Sequence, residues 1–146
     1  MPTSKLQTLT VNSRSRSEII DLTDRVQQVA RGVKSGFVIV YVPHTTAGVT
    51  INENADPDVK SDFLKKLETL VPKHEDFYNH AEGNSDSHVK TALVGNSATV
   101  LVEDGRLLLG TWQGIYFCEF DGPRSREVYV RPVDLSGSSP VPASPR

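Results

Sequence analysis

The chain has 146 residues, 37% of them apolar, with a formal charge of −2 and one cysteine. A chain of this length fits one domain and can bury roughly 68–70% of its unfolded surface, so folding needs neither disulfides nor a structural metal. One cysteine excludes an intrachain disulfide framework and any multi-cysteine zinc module, and the balanced charge gives no sign of a nucleic-acid or anionic-membrane partner.

Residues 4–11 alternate loosely, with Leu6, Leu9 and Val11 among polar neighbours, and predict an opening strand. Ser17 is a candidate cap for a helix carrying Ile19, Leu22, Val26 and Val29 on one face and stopping at Gly32. Gly36 to Val42 is an unbroken apolar, β-branched run, as in a strand buried on both faces, and Pro43 ends it. The following His44-Thr45-Thr46-Ala47-Gly48 therefore sits at a strand end, before a return strand over Val49 to Asn54. Asp56-Pro57 opens a second helix, with Val59, Phe63, Leu67 and Leu70 as its core stripe and Pro72 as its stop.

Lys73 to Gly83 has no clean period, and Asn84 to Val94 predicts a short helix ending at Gly95. Four strands follow, Ala98–Val102, Arg106–Leu109, Ile115–Phe120 and Glu127–Val133, joined by short turns and therefore antiparallel. The fold class expected is α+β, an antiparallel-rich β-sandwich flanked by two or three helices, in one domain over residues 1–135. Residues 136–146 are rich in Ser and Pro and read as a disordered tail.

The longest apolar run falls far short of the roughly 20 residues that span a bilayer, and Met1 to Thr10 is polar. The expectation is a soluble, untargeted, cytoplasmic protein. Residues 1–34 carry six Lys/Arg against three Asp/Glu, and residues 52–90 carry five against nine, with no basic, aromatic-interleaved face for nucleic acid.

Three of the four histidines, His44, His80 and His88, lie in polar, small-residue segments. Three imidazoles meet the ligand count of a catalytic zinc site, with Glu82, Asp86 and Asn52 to Asn54 as acceptors or bases nearby; the alternative is surface histidines in loops. Trp112 and Gln113 suit either the core or a stacking wall for a flat ring, with Gln113 supplying a donor and an acceptor. Asp121-Gly122-Pro123-Arg124-Ser125-Arg126 is a turn whose charges are solvated, or an anion site in which Arg124 and Arg126 hold a phosphate. Thr45, Thr46, Asn84 and Ser85 could add hydroxyl and N–H donors to that anion. Cys118 lies mid-strand among aromatic residues, as a buried inert thiol does.

Four segments together carry a resemblance. They are Pro43 to Gly48 with Asn52-Glu53-Asn54, Tyr78 to Lys90, Gly110 to Gln113, and Glu119 to Arg124. In this order they resemble the YjbQ family, also called secondary thiamine-phosphate synthases, over roughly residues 4–133. The resemblance implies a homotrimer and a metal site on His44, His80 and His88. It also implies a weak synthase activity that joins a pyrimidine methyl diphosphate to a thiazole phosphate and releases pyrophosphate. Three imidazoles suit zinc or another transition metal, with magnesium only as a companion of a diphosphate substrate. In that reaction His44, His80, His88, Asp121 and Arg124 would be the catalytic set. Thr45, Thr46, Asn84, Ser85, Trp112, Gln113, Arg124 and Arg126 would hold the small phosphorylated metabolite. A metal-dependent hydrolase and a non-catalytic trimeric binding module are the alternatives.

Overall fold

The computed structural model describes residues 4–136. Strand β1 (Gln7–Asn12) and the short β2 (Glu18–Asp21) precede helix α1 (Thr23–Ala30), and β3 (Ser35–Tyr41) and β4 (Ala47–Glu53) follow it. Helices α2 (Pro57–Leu70) and α3 (Ser85–Val94) come next, then β5 (Ser97–Glu103), β6 (Arg106–Leu107), β7 (Gln113–Glu119) and β8 (Ser125–Asp134). The strands form two antiparallel sheets, one ordered β1-β8-β3-β5-β6 and the other β2-β7-β4. This α+β arrangement is the one expected; the tail beginning at Ser136 falls, apart from that residue, outside the described residues.

Apolar alternation sets the sandwich. Val38, Val40, Val100, Val102, Val128 and Val130 face inward from the first sheet, and Ala47, Val49, Ile115 and Phe117 from the second. Leu22, just before α1, and Val26 and Ala30 within it close the same core. Each fully buried aliphatic or aromatic side chain of this kind contributes roughly 1.5–3 kcal/mol. The back of the second sheet carries a smaller cluster of Cys118, Phe120 and Leu67, with Phe63, Leu64 and Val94 packed on it from the α2 and α3 side.

Four expectations need correction. The helix predicted from Ser17 begins only at Thr23, because the β-branched Ile19 and Ile20 pair with Cys118 and Phe117 of β7 as a strand. The run Gly36 to Val42 is not buried on both faces: Val38 and Val40 are buried, whereas Phe37 and Ile39 are half-buried and Tyr41 is exposed. Leu70 is 61% exposed and leaves the α2 stripe, while Asp56 caps that helix as expected, accepting the Asp58 N–H at 2.9 Å. The strand predicted over Arg106–Leu109 shortens to two residues.

Helix α3 ends on Gly95, whose φ of 103° suits only glycine. Its C-terminus lies against β4: Val49 N–H donates to the Gly95 carbonyl at 3.0 Å. A Cβ on Gly48 would stand 2.5 Å from that same oxygen, so Gly48 permits the approach. The approach sets the first turns of α3 beside the loop that leaves β3.

Candidate functional site

A cleft of about 700 Å³ opens where three segments meet. The loop Pro43–Thr46 supplies His44, Thr45 and Thr46; the approach to α3 and its first turn supply His80, Glu82, Asn84 and His88; the β7–β8 turn supplies Asp121 and Arg124, and β8 supplies Arg126. Tyr41 and Asn96 complete the wall. Asn96 holds the first segment in shape, since its Nδ2 donates to the Val42 and His44 carbonyls at 3.0 and 2.8 Å. Sequence reasoning passed over Asn96 and Tyr41; only the Asn directly after the helix-ending Gly95 hinted at the first.

His80 and His88 meet edge to face, with ring centres 5.3 Å apart. Two imidazoles on one tetrahedral ion at about 2.0–2.1 Å would hold their ring centres about 5 Å apart, so this pair fits two of the ligands the sequence suggested. His44 lines the same cleft, and its Nε2 accepts the backbone N–H of Glu127 at 3.0 Å. Among the described residues, no group of three or more His, Cys, Asp or Glu side chains is gathered to hold an ion. Glu82 lies near, its Oε2 3.9 Å from His80 Nε2, and is mostly exposed.

The two arginines differ. Arg124 is half-exposed, its Nε donating to the Asp121 carbonyl at 2.9 Å and its Nη2 to Asp121 Oδ2 at 3.1 Å, which leaves its other terminal nitrogen for a ligand. Arg126, expected beside it as an anion holder, is 3% exposed and taken up by Glu119 and by the Thr46 hydroxyl and carbonyl. A guanidinium so engaged ties the wall of the cleft together. Thr46 is buried with it, while Thr45 stays exposed at the cleft.

Glu119, which the sequence hid inside a strand, is the centre of this support. Its carboxylate accepts from Arg126, from the Ser13 hydroxyl at 2.7 Å and from the Asp121 N–H at 2.9 Å. Ser13 Oγ in turn accepts the Arg124 N–H at 2.9 Å, so β1 and the turn bearing Asp121 and Arg124 are tied together. Burial pushes the Glu119 carboxyl up, but Arg126, the Asp121 N–H and Ser13 outweigh it and hold it below the usual range.

A second buried network fixes α3. Asp86, expected as a base or an imidazole's acceptor, is fully buried and accepts from Arg16 Nη1 and Nη2 at 3.1 and 2.9 Å and from Lys90 Nζ at 3.0 Å. Burial alone would raise its pKa; Arg16 and Lys90 reverse that and hold it low. Ser87 donates to the Phe120 carbonyl beside it. Asn84 Nδ2 donates to Asp121 Oδ2 at 2.8 Å and to Glu82 Oε2 at 3.3 Å, joining the helix start to the β7–β8 turn.

Trp112, Gln113 and Ser85 do not line the cleft. Trp112 is 61% exposed in the turn before β7, and the seven residues of that strand carry the chain about 20 Å to the end where Glu119 lies. Gln113 Oε1 instead closes its own turn by accepting the Gly110 N–H at 2.8 Å. Tyr41 is the aromatic ring that the cleft does have. Cys118 is buried and its thiol is pushed up to about 12 by burial, the inert state expected.

Comparison with known proteins gives a consistent result. The family model described as UPF0047 protein YjbQ-like matches residues 7–134. The UPF0047 protein YugU of Bacillus subtilis is 52% identical over 128 residues, which cover 86% of this chain and 97% of that protein. A UPF0047 protein of Methanocaldococcus jannaschii is 53% identical, covering 83% of this chain and 88% of its own length. Among solved structures, an uncharacterized YjbQ/UPF0047 protein of Clostridium acetobutylicum superposes with a TM-score of 0.85 at 48% identity, covering 87% of this chain and 99% of that one. A protein of unknown function from Sulfolobus solfataricus reaches the same TM-score at 28% identity, covering 89% of this chain and 96% of its own. None of these names states a reaction.

Proposed function

The chain belongs to the YjbQ-like UPF0047 family, and on the geometry of its cleft we propose that it binds a small phosphorylated metabolite and catalyses departure of a phosphate-bearing group from it. The observation that carries this is the placement of the His80–His88 pair and the half-exposed Arg124 in one cleft. The reaction proposed is a weak thiamine-phosphate synthesis, in which the carbon–oxygen bond of a pyrimidine methyl diphosphate breaks, the thiazole nitrogen takes that carbon, and pyrophosphate leaves.

Arg124 meets the charge that grows on the leaving oxygens, and Asp121 holds its guanidinium by two bonds so that little reorganisation is needed as charge develops. Thr45 supplies a hydroxyl to the same oxygens, and Tyr41, stacked on Tyr129, gives a flat face for a ring. His80 and His88 would hold a divalent transition metal, zinc before magnesium, which when bound supplies further neutralisation of phosphate oxygens. In the hydrolytic alternative Glu82, exposed beside His80, would take the proton of the attacking water. A homotrimer is part of the same proposal. Its support is the outer face of the larger sheet, where Leu101 is 61% exposed and pairs across from Phe37, which itself lies opposite Val133.

The test is pyrophosphate release from the pyrimidine methyl diphosphate, with and without the thiazole phosphate and with Zn²⁺ or Mg²⁺. Release that depends on the thiazole supports the transferase. Thiazole-independent release supports a hydrolase, and thermal stabilisation without any release leaves a binding module and removes the enzyme reading.

A further inference from the structure

His44 is anchored from two sides. Its carbonyl accepts from Asn96, and its Nε2 accepts the Glu127 N–H at 3.0 Å. Turning the ring over would set a carbon against that N–H, so the bond itself identifies the accepting atom as nitrogen. A neutral imidazole that accepts at Nε2 carries its proton on Nδ1. Burial first and the adjacent Arg126 guanidinium second favour the neutral ring. Nδ1 is bonded by no described residue and is not a buried atom left without a partner, so it is accessible on a side chain that lines the cleft.

A metal takes a neutral imidazole through a bare nitrogen. Ligation through Nε2 would strip the Glu127 amide of its acceptor, and ligation through Nδ1 would require loss of the ring's remaining proton. We infer that His44 stands outside any metal set and serves the cleft as a neutral hydrogen-bond donor, through Nδ1, to the anionic oxygens of the ligand. The ion, where one binds, is left to His80 and His88 with further ligands from the substrate or water. This rests on the phosphate-binding, metal-binding reading of the cleft, but the state of the His44 ring can be measured without it.

Two measurements test it. Long-range ¹H–¹⁵N spectra of the full chain should show His44 as the Nδ1–H tautomer, with inorganic pyrophosphate shifting the Nδ1 resonance. In Zn²⁺ titrations, His44→Gln should bind within about twofold of the unsubstituted protein. His88→Gln should lose at least about tenfold in Zn²⁺ affinity. An Nε2–H tautomer, or loss of Zn²⁺ by His44→Gln equal to that of His88→Gln, overturns the inference. If the unsubstituted protein takes up no Zn²⁺, the metal reading falls and the tautomer with its pyrophosphate response decides the role of His44 alone.

Discussion

Between the two sheets, Val38, Val40, Val102, Ile115 and Phe117 are closed to water and hold no polar side chain among them; around α3, Asp86, Ser87, Lys90, Glu119 and Arg126 are closed to water just as fully. The first region packs by area and shape, which many arrangements of aliphatic side chains satisfy. The second holds only if each charge meets its partner in place, since an unpaired buried charge costs several kcal/mol. The polar region therefore fixes geometry where the apolar one supplies cohesion. It lies directly behind the cleft, so the turn bearing Asp121 and Arg124 and the helix bearing His88 are held by hydrogen bonds rather than by packing alone.

Substitutions should separate the two regions. In the apolar region Phe117→Ala should cost about 3–5 kcal/mol in urea unfolding, and the loss should be alike at neutral and mildly acid pH. In the polar region Glu119→Ala should cost a similar 3–5 kcal/mol by stranding Arg126, and should weaken pyrophosphate binding as well, because Asp121 loses its anchor. Unchanged pyrophosphate affinity in a folded Glu119→Ala protein would show that the network does not shape the cleft.

Acid should act on the polar region alone. Asp86 and Glu119 both have depressed native pKa values, so the stability they contribute is present above their ordinary values of 3.8 and 4.5. It is lost as pH falls from that range through the lower native values. Stability against urea should drop across this window, and the double variant Asp86→Asn with Glu119→Gln should show a flatter profile; an equally steep one would place the acid sensitivity elsewhere.

Smaller effects are expected outside both regions. Asp56→Ala removes the α2 cap and should cost about 1 kcal/mol with ligand binding intact. Arg124→Ala should do the reverse: its exposed pair with Asp121 is worth at most about 1 kcal/mol of stability, while pyrophosphate affinity should fall about tenfold or more. Calorimetric titration beside urea unfolding reads both.

Much of the scaffold was legible because its signals are local. The Asp56-Pro57 opening, the Gly95 stop and the strand signals over Ala98–Val102 and Glu127–Val133 each act within a few residues and survive into the structure. The strand Glu18–Asp21 was not legible, because Ile19 and Ile20 satisfy a helical spacing as well as an extended one, and only their pairing with β7 decides between them. In the site, the residue types were legible but not their duties. Arg124 and Arg126 are two apart in the sequence, yet one ends half-exposed and the other buried on Glu119, seven residues away. Trp112 suited either the core or a stacking wall, but sequence nearness to β7 says nothing about which end of the strand meets the cleft.

The sequence by itself determined the family, the alternation of the sheets, the caps of two helices and the polar segments from which the cleft is drawn. The tertiary structure alone decided that α3 buries its polar face, with Asp86 and Lys90 inside and Leu93 63% exposed. It decided equally that Arg126 is buried against Glu119 and Thr46, and that His44 gives its Nε2 to the Glu127 amide. The physical reason is common to all three. Burial of a charge or a ring nitrogen depends on a partner supplied from another part of the chain, and no local pattern records which partner folding brings.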